Sequence, residues 1–319
     1  MNHLECVTSK KNNWYRYLLV LFLSVVVANM VGSIPLFVVI IIALLKNGFD
    51  FSILAAVGKL DFNELGALGI DSNLTMACFT FIFAVMLLAA IFFIKLFHDR
   101  SWKEVINGTN RVRWSRFFFG FLVWGILSAV ILAISYFSEP ELFRFRFQPV
   151  QFIILIVISL LFIPFQSSCE EFLIRGYLTQ GIASWTKSRW WALIIPSLLF
   201  GLLHFDNSEI KEYGFFIMMA QYVTMGFVLG IMSIMDDGIE LAMGVHTVNN
   251  VFVSIFTTFK GSALQTYALF EITEINPVKE FFSLIVTAII LLSILAYKYK
   301  WKFSTLNRKV TLSTCTTFI

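Results

Sequence analysis

Three apolar stretches of this sequence carry polar residues at spacings that can do chemistry. The first is Cys169-Glu170-Glu171-Phe172-Leu173-Ile174-Arg175, the second Phe200-Gly201-Leu202-Leu203-His204, and the third His246-Thr247-Val248-Asn249-Asn250. Charged and polar groups in such surroundings are expensive to bury and mark function. Glu171 and Arg175 stand four residues apart with the acid first, the better order for an ion pair along one helix face. That pairing neutralises Arg175 and fixes the face. Glu170 points about 100° away and has no partner at helical spacing, which suits a carboxylate tuned by a low-dielectric setting for proton transfer. Two idle glutamates at a solvated helix end are an equal reading of that motif taken alone. His204 and His246, each alone, read as interhelical hydrogen bonders. Asn250 lies one turn beyond His246 on the same face, allowing a joint site, whereas Asn249 points elsewhere as packing.

One carboxylate, two imidazoles and one amide meeting in a dry cavity make a constellation for hydrolysis. The glutamate can take a proton from water or hold a metal, and the imidazoles can position the water, ligate zinc or stabilise charge. The asparagine amide can donate to a developing oxyanion. Glu170, His204 and His246 would be the ligands if zinc is used, and the sequence leaves metal use open. An H-E-x-x-H pair is absent, which excludes a zincin-type helix. The four cysteines (Cys6, Cys78, Cys169 and Cys315) have no C-x-x-C spacing, so they predict neither a secreted disulfide scaffold nor a thiolate zinc site.

The elements that must position these groups are membrane helices. The 319 residues are 58% hydrophobic and 14% charged, with a mean hydropathy of +0.81, against about 45–50% and about 25% in an average soluble domain. These proportions exclude a soluble globular protein, a disordered chain and a nucleic-acid binder carried by a basic face. Apolar runs near 14–45, 74–97, 117–137, 150–184, 190–207, 214–235, 239–259 and 279–298 predict an all-α polytopic bundle of about eight transmembrane helices, the first kinked at Pro35. No strand-like alternation supports a barrel. With the N-terminus inside, 17 of the 24 lysines and arginines fall on the inner side, so both termini are predicted cytoplasmic. The acidic loop Asp236–Gly238 sits awkwardly on that side. The basic stretch Lys103–Arg116 reads as a cytoplasmic loop rather than a binding patch. Gly226 and Gly230 predict close helix packing.

Depth ties the three motifs together. If the fourth helix runs unbroken to Ser184, Glu170 lies ~14 residues, or ~21 Å, from its cytoplasmic end. His204 is ~21 Å into the fifth span and His246 ~15 Å from Asp236. The groups can therefore meet at one level, approached from the cytoplasmic side. The chain divides into N-terminal helices 1–3 over 1–149, a catalytic core over 150–260, and a last helix with a basic cytoplasmic tail over 261–319.

Taken in order, Glu170-Glu171-x-x-x-Arg175, Phe200-x-x-x-His204 and His246-x-x-x-Asn250 resemble the CPBP family of intramembrane proteases. That family is also called Abi and includes the type II CAAX prenyl endopeptidases. The resemblance covers about residues 150–260, with no departure at the seven positions. It implies that Glu170 activates water, supported by Glu171 and Arg175, and that His204 and His246 bind or polarise that water with or without a metal. It gives Asn250 a share in the oxyanion site and packs Phe200 one turn before His204. The implied activity is an endopeptidase acting on a peptide or lipid-modified protein within the lipid bilayer of a bacterial plasma membrane, or of the endoplasmic reticulum in a eukaryote. The closing Thr-Thr-Phe-Ile is not a prenylation box despite Cys315. A non-catalytic scaffold or immunity-type protein is the main alternative. A proton-coupled transporter is the lesser one, since no inverted repeats are visible.

Overall fold

The computed structural model describes residues 3–7, 11–46, 48, 65, 66 and 68–311; Cys315 and the closing Thr-Thr-Phe-Ile lie outside them. Each apolar run folds as helix. Among the described residues, six helices are long and apolar enough to cross a membrane: Trp14–Lys46, Ser72–His98, Trp114–Ser138, Pro149–Thr186, Phe215–Met235 and Pro277–Tyr299. The chain is thus a helical multi-pass membrane protein. The two remaining runs are helical but short, with 14 residues in Arg189–Leu202 and 17 in Glu240–Phe256. At 1.5 Å per residue these measure about 21 Å and about 26 Å, less than the ~30 Å hydrocarbon layer.

In chain order the helices are α1 (Trp14–Val27), α2 (Ile34–Lys46), α3 (Ser72–His98), α4 (Trp102–Asn107), α5 (Trp114–Ser138), α6 (Pro149–Glu171), α7 (Thr179–Thr186), α8 (Arg189–Leu202), α9 (Ser208–Tyr213), α10 (Phe215–Met235), α11 (Glu240–Phe256) and α12 (Pro277–Tyr299). The first span is interrupted by π-helix at Ala28–Gly32, just before Pro35 opens the first turn of α2. A proline fits there because its missing N–H is one the helix leaves unpaired anyway. Local chemistry starts the other helices. The Asp71 carboxylate accepts from Asn73 N–H and Leu74 N–H at the head of α3, and Ser101 with Glu104 forms a capping box on α4.

A small sheet, unannounced by alternation in the sequence, joins loops at one end of the bundle. Its strands β1 (Phe143–Phe145), β2 (Thr257–Phe259) and β3 (Phe270–Ile272) run in the order β1-β3-β2, antiparallel and then parallel. Three residues per strand leave no alternation to read.

Helix α11 packs against α5 and α6, closely enough that side chains are excluded. A Cβ on Gly120 would stand 2.7 Å from the Leu241 carbonyl oxygen, and one on Gly244 would overlap the Phe117 carbonyl. Helices α8 and α10 pack the same way, where a Cβ on Gly226 would stand 2.6 Å from the Ser197 carbonyl oxygen, as the small-residue spacing predicts. One buried cluster lies among Trp124, Phe200, Leu229, Met232, Leu241 and Val245. The acidic loop is neutralised by the basic stretch: Arg113 Nη2 lies 3.3 Å from Asp236 and 2.5 Å from Glu240, and Arg116 Nε lies 3.5 Å from Asp236. Of the described cysteines, Cys78 and Cys169 are buried thiols and Cys6 is disulfide-bonded, a pairing that its sequence spacing did not announce.

Candidate active site

Glu170 and Glu171 are the last residues of α6. The helix does not stop there but runs on as π-helix through Phe172–Leu178 into α7, so the helical path from Glu170 to Ser184 is unbroken but changes its winding. Glu171 is fully buried, and its Oε1 accepts from Arg175 Nη1 at 2.9 Å, the pair expected from their spacing. The same oxygen lies 2.8 Å from His246 Nδ1, a contact between residues 75 positions apart that no local pattern could announce. A carboxylate accepts only, so Nδ1 carries the proton and Nε2 offers its lone pair. Arg175 is held further by the Gly226 carbonyl at 3.3 Å and by the Phe200 ring, 4.0 Å below its guanidinium.

Glu170 turns the other way, into a cavity of about 1050 Å³ bounded by α1, α3, α6, the π turn, α8 and the loop around Ala263. It does have a partner at helical spacing, Gln166, one turn earlier, whose Nε2 donates to Glu170 Oε1. An amide four residues back pairs with a carboxylate by the same helical spacing as a charged partner. Its Oε1 accepts from Asn250 Nδ2 at 3.0 Å, and Asn250 Oδ1 accepts from Asn249 Nδ2 at 3.0 Å. Asn249 Oδ1 in turn accepts from Trp124 Nε1 at 3.1 Å, so it packs as expected and also orients its neighbour. With Oε1 engaged, Glu170 Oε2 has no hydrogen-bond partner and lies 3.8 Å from His246 Nε2.

His246 sits two turns into α11, which begins at Glu240 rather than at Asp236, so it is shallower in its helix than the sequence count placed it. His204 lies just beyond the end of α8 rather than within it. Its Nδ1 donates to the Phe200 carbonyl at 2.7 Å, closing the last turn. The ring stacks on Tyr222 at 4.5 Å and touches Phe200 at 4.7 Å, and Phe200 reaches His246 at 5.8 Å. Tyr222 is fixed by donating to Glu209 Oε2 at 2.5 Å and accepting from Asn207 Nδ2 at 3.0 Å. Tyr222 and Glu209 are further site neighbours that the motifs did not reveal, because stacking leaves no fixed spacing in sequence.

Glu170, Glu171, Arg175, His246 and Asn250 thus gather directly or through Gln166, and His204 joins them across the Phe200 ring. Among the described residues, no group of three His, Cys, Asp or Glu side chains is placed to hold a metal ion. His246 Nδ1 is committed to Glu171 and His204 Nδ1 to a backbone carbonyl, which leaves each Nε2 as the nitrogen open to a ligand, as in metal-bound histidines. As arranged, Glu170, His204 and His246 do not come together as a three-ligand zinc group.

Comparison with known proteins agrees with the motif reading. The family model described as type II CAAX prenyl endopeptidase Rce1-like matches residues 148–252, the stretch that holds all seven motif positions. The "Uncharacterized protein YyaK" of Bacillus subtilis (strain 168) is 29% identical over 292 residues, covering 91% of this chain and 93% of its own length. No solved structure matches the chain. The family match supports a protease activity in general and a membrane-associated protein as substrate.

Proposed function

We propose that the protein is an intramembrane endopeptidase in which Glu170 activates water against a peptide bond. The observation that carries this reading is the unpartnered Glu170 Oε2, 3.8 Å from the lone pair of His246 Nε2 at the edge of a large, mostly apolar cavity. That gap suits one water hydrogen-bonded to both groups. With both its hydrogens accepted, the water turns an oxygen lone pair outward toward a carbonyl carbon in the cavity. As the C–O bond forms, Glu170 takes the water's proton. It returns that proton to the leaving nitrogen as the C–N bond breaks, so the products are an acid and an amine.

The other residues act on these two. Gln166 holds Oε1 and so aims Oε2, while Glu171 with Arg175 fixes the His246 tautomer, as a carboxylate orients imidazole in other hydrolytic sites. Asn250 has a second amide hydrogen for the oxyanion. His204 faces the same cavity and stabilises charge on the substrate.

The test compares wild type with Glu170→Gln in the same cells at equal protein levels, by mass spectrometry of membrane and secreted peptides. We expect at least one peptide terminus present with wild type and reduced by a factor of about 100 or more in the variant. Equal termini in both would overturn the reading and favour a non-catalytic scaffold.

A further inference from the structure

The segment His3–Val7, remote in sequence from every motif, is buried except for the half-buried Glu5, and none of its residues lines the cavity. His3 is fully buried, and Leu4 packs among Ala183, Ala192, Leu193, Ile234 and Leu306. Glu5 pairs with Arg189 at 2.9 Å. Every polar group of His3 is engaged: its N–H donates to Asp237 Oδ1 at 2.5 Å, and its carbonyl accepts from Gln180 Nε2 at 2.9 Å. Gln180 Nε2 also lies 3.0 Å from His3 Nδ1. A backbone carbonyl only accepts, so the ring nitrogen facing Arg175 O, Nε2, carries the proton. That Nε2–H donates to the Arg175 carbonyl at 3.2 Å.

The partner carbonyl belongs to the π turn. A π-helix carries an extra residue per turn, and its entry and exit leave carbonyls outside the regular ladder. Two carbonyls of this turn take side-chain donors. Ile174 O accepts from Thr179 Oγ1 at 2.8 Å as well as from the Thr179 backbone N–H, and Arg175 O accepts from His3. The first donor lies within the same continuous helix, while the second comes from about 170 residues away. Were the π turn to rewind as α-helix, residues before and after it would rotate by about 100° relative to each other. Glu171 and Arg175 would then no longer both meet their partners on α10 and α11.

We propose that His3 is a positioning residue for the Glu171–Arg175–His246 group, acting through the Arg175 carbonyl to hold the π turn in place. The role rests on the proposed proteolytic reading for its activity arm and on geometry alone for its structural arm. His3 touches neither the cavity nor the reacting atoms, so its loss lowers turnover and leaves substrate binding intact.

The experiment uses the full chain with His3→Leu, which keeps the bulk and removes both ring nitrogens, and His3→Gln, which restores a donor of similar reach. In a substrate identified with wild type and Glu170→Gln, His3→Leu lowers kcat about tenfold with KM unchanged, and His3→Gln recovers most of it. Hydrogen–deuterium exchange over 172–178, which needs no substrate, rises in His3→Leu and returns toward wild type in His3→Gln. Unchanged exchange in a folded His3→Leu protein overturns the proposal, as does a loss that His3→Gln fails to restore. Absent cleavage by wild type sinks the proteolytic reading and leaves the exchange result to decide this one. If His3→Leu does not fold, the comparison of His3→Gln with wild type decides: exchange within twofold supports the role, and a larger rise overturns it.

Discussion

At the scale of single residues, the site commits one oxygen of Glu170 and leaves the other open beside His246. Glu170 Oε1, Glu171 Oε1, His246 Nδ1 and His204 Nδ1 are all engaged, and Glu170 Oε2 facing His246 Nε2 is not. Gln166 makes that difference between the two oxygens of Glu170. Gln166→Ala should lower kcat about tenfold with little effect on KM or on thermal stability. Gln166→Glu should do more damage, because it sets a second carboxylate against Glu170 and an acceptor-only group against Glu170 Oε1. Equal kcat in all three proteins would remove Gln166 from the mechanism. The Glu171–Arg175 pair was legible in the sequence because an ion pair at four residues is a property of one helix. The Gln166–Glu170 pair obeys the same rule and was equally available. The Glu171–His246 contact, the Tyr222 stack and the His3 bond were not, since they depend on how separate helices rotate and approach.

At the scale of elements, the loop between α10 and α11 and the segment at His3–Val7 meet beside the π turn, and their titrations run in opposite directions. Burial holds His3 down, to about 4, although its bond to the Arg175 carbonyl and the nearby Glu240 favour protonation; Arg100 and Arg113 disfavour it. Asp237 faces its backbone N–H. The unfolded chain therefore binds the His3 proton more readily, and the stability this group provides is complete above about 6.5 and lost as pH falls toward about 4. Burial pushes Asp236 up, to about 6, against the pull of Arg113 and Arg116. Here the folded state binds the proton better, so stability from Asp236 falls as pH rises from 3.8 to about 6. The wild type should thus lose stability relative to His3→Gln by up to roughly 3 kcal/mol between pH 6.5 and 4. Thermal unfolding of both proteins across that range measures the difference, in which Asp236 cancels. A constant difference would mean that His3 is not buried as a neutral ring. The helices themselves were legible from composition and apolar runs, and so was the close packing at Gly226. The π turn was hidden, because Phe172–Leu178 has no proline and its one charge, Arg175, pairs with Glu171 at ordinary α-helical spacing. The sheet was hidden because its strands are three residues long.

At the scale of the whole molecule, the six long helices present large apolar side chains outward, among them Phe137, Phe216 and Tyr297. Water must nonetheless reach Glu170. The two helices that deliver His204 and His246 are both shorter than the hydrocarbon layer, at about 21 Å and about 26 Å. Of the two, α8 turns Trp191, Leu198 and Leu202 outward, and a bilayer meeting it thins locally at a cost of a fraction of a kcal/mol for each ångström of mismatch. Activity reconstituted in lipids of increasing acyl length should therefore fall severalfold from thinner to thicker bilayers, with the protein still folded. Independence of lipid length would show that the cavity supplies its own water.

The pairing of Arg113 with Glu240, across 127 positions, has a consequence in time. When the chain is made, Arg113 and Arg116 emerge long before Asp236 and Glu240 exist. They meet the insertion machinery as bare charges, at full strength in deciding which way the neighbouring helix is threaded. Only later do the acids arrive and cancel them. Arg175 has the opposite history, since Glu171 precedes it by four residues and the two can enter the membrane already matched. Charges that are paired in the finished molecule thus act unpaired during synthesis, while the charge in the site helix is matched from the outset.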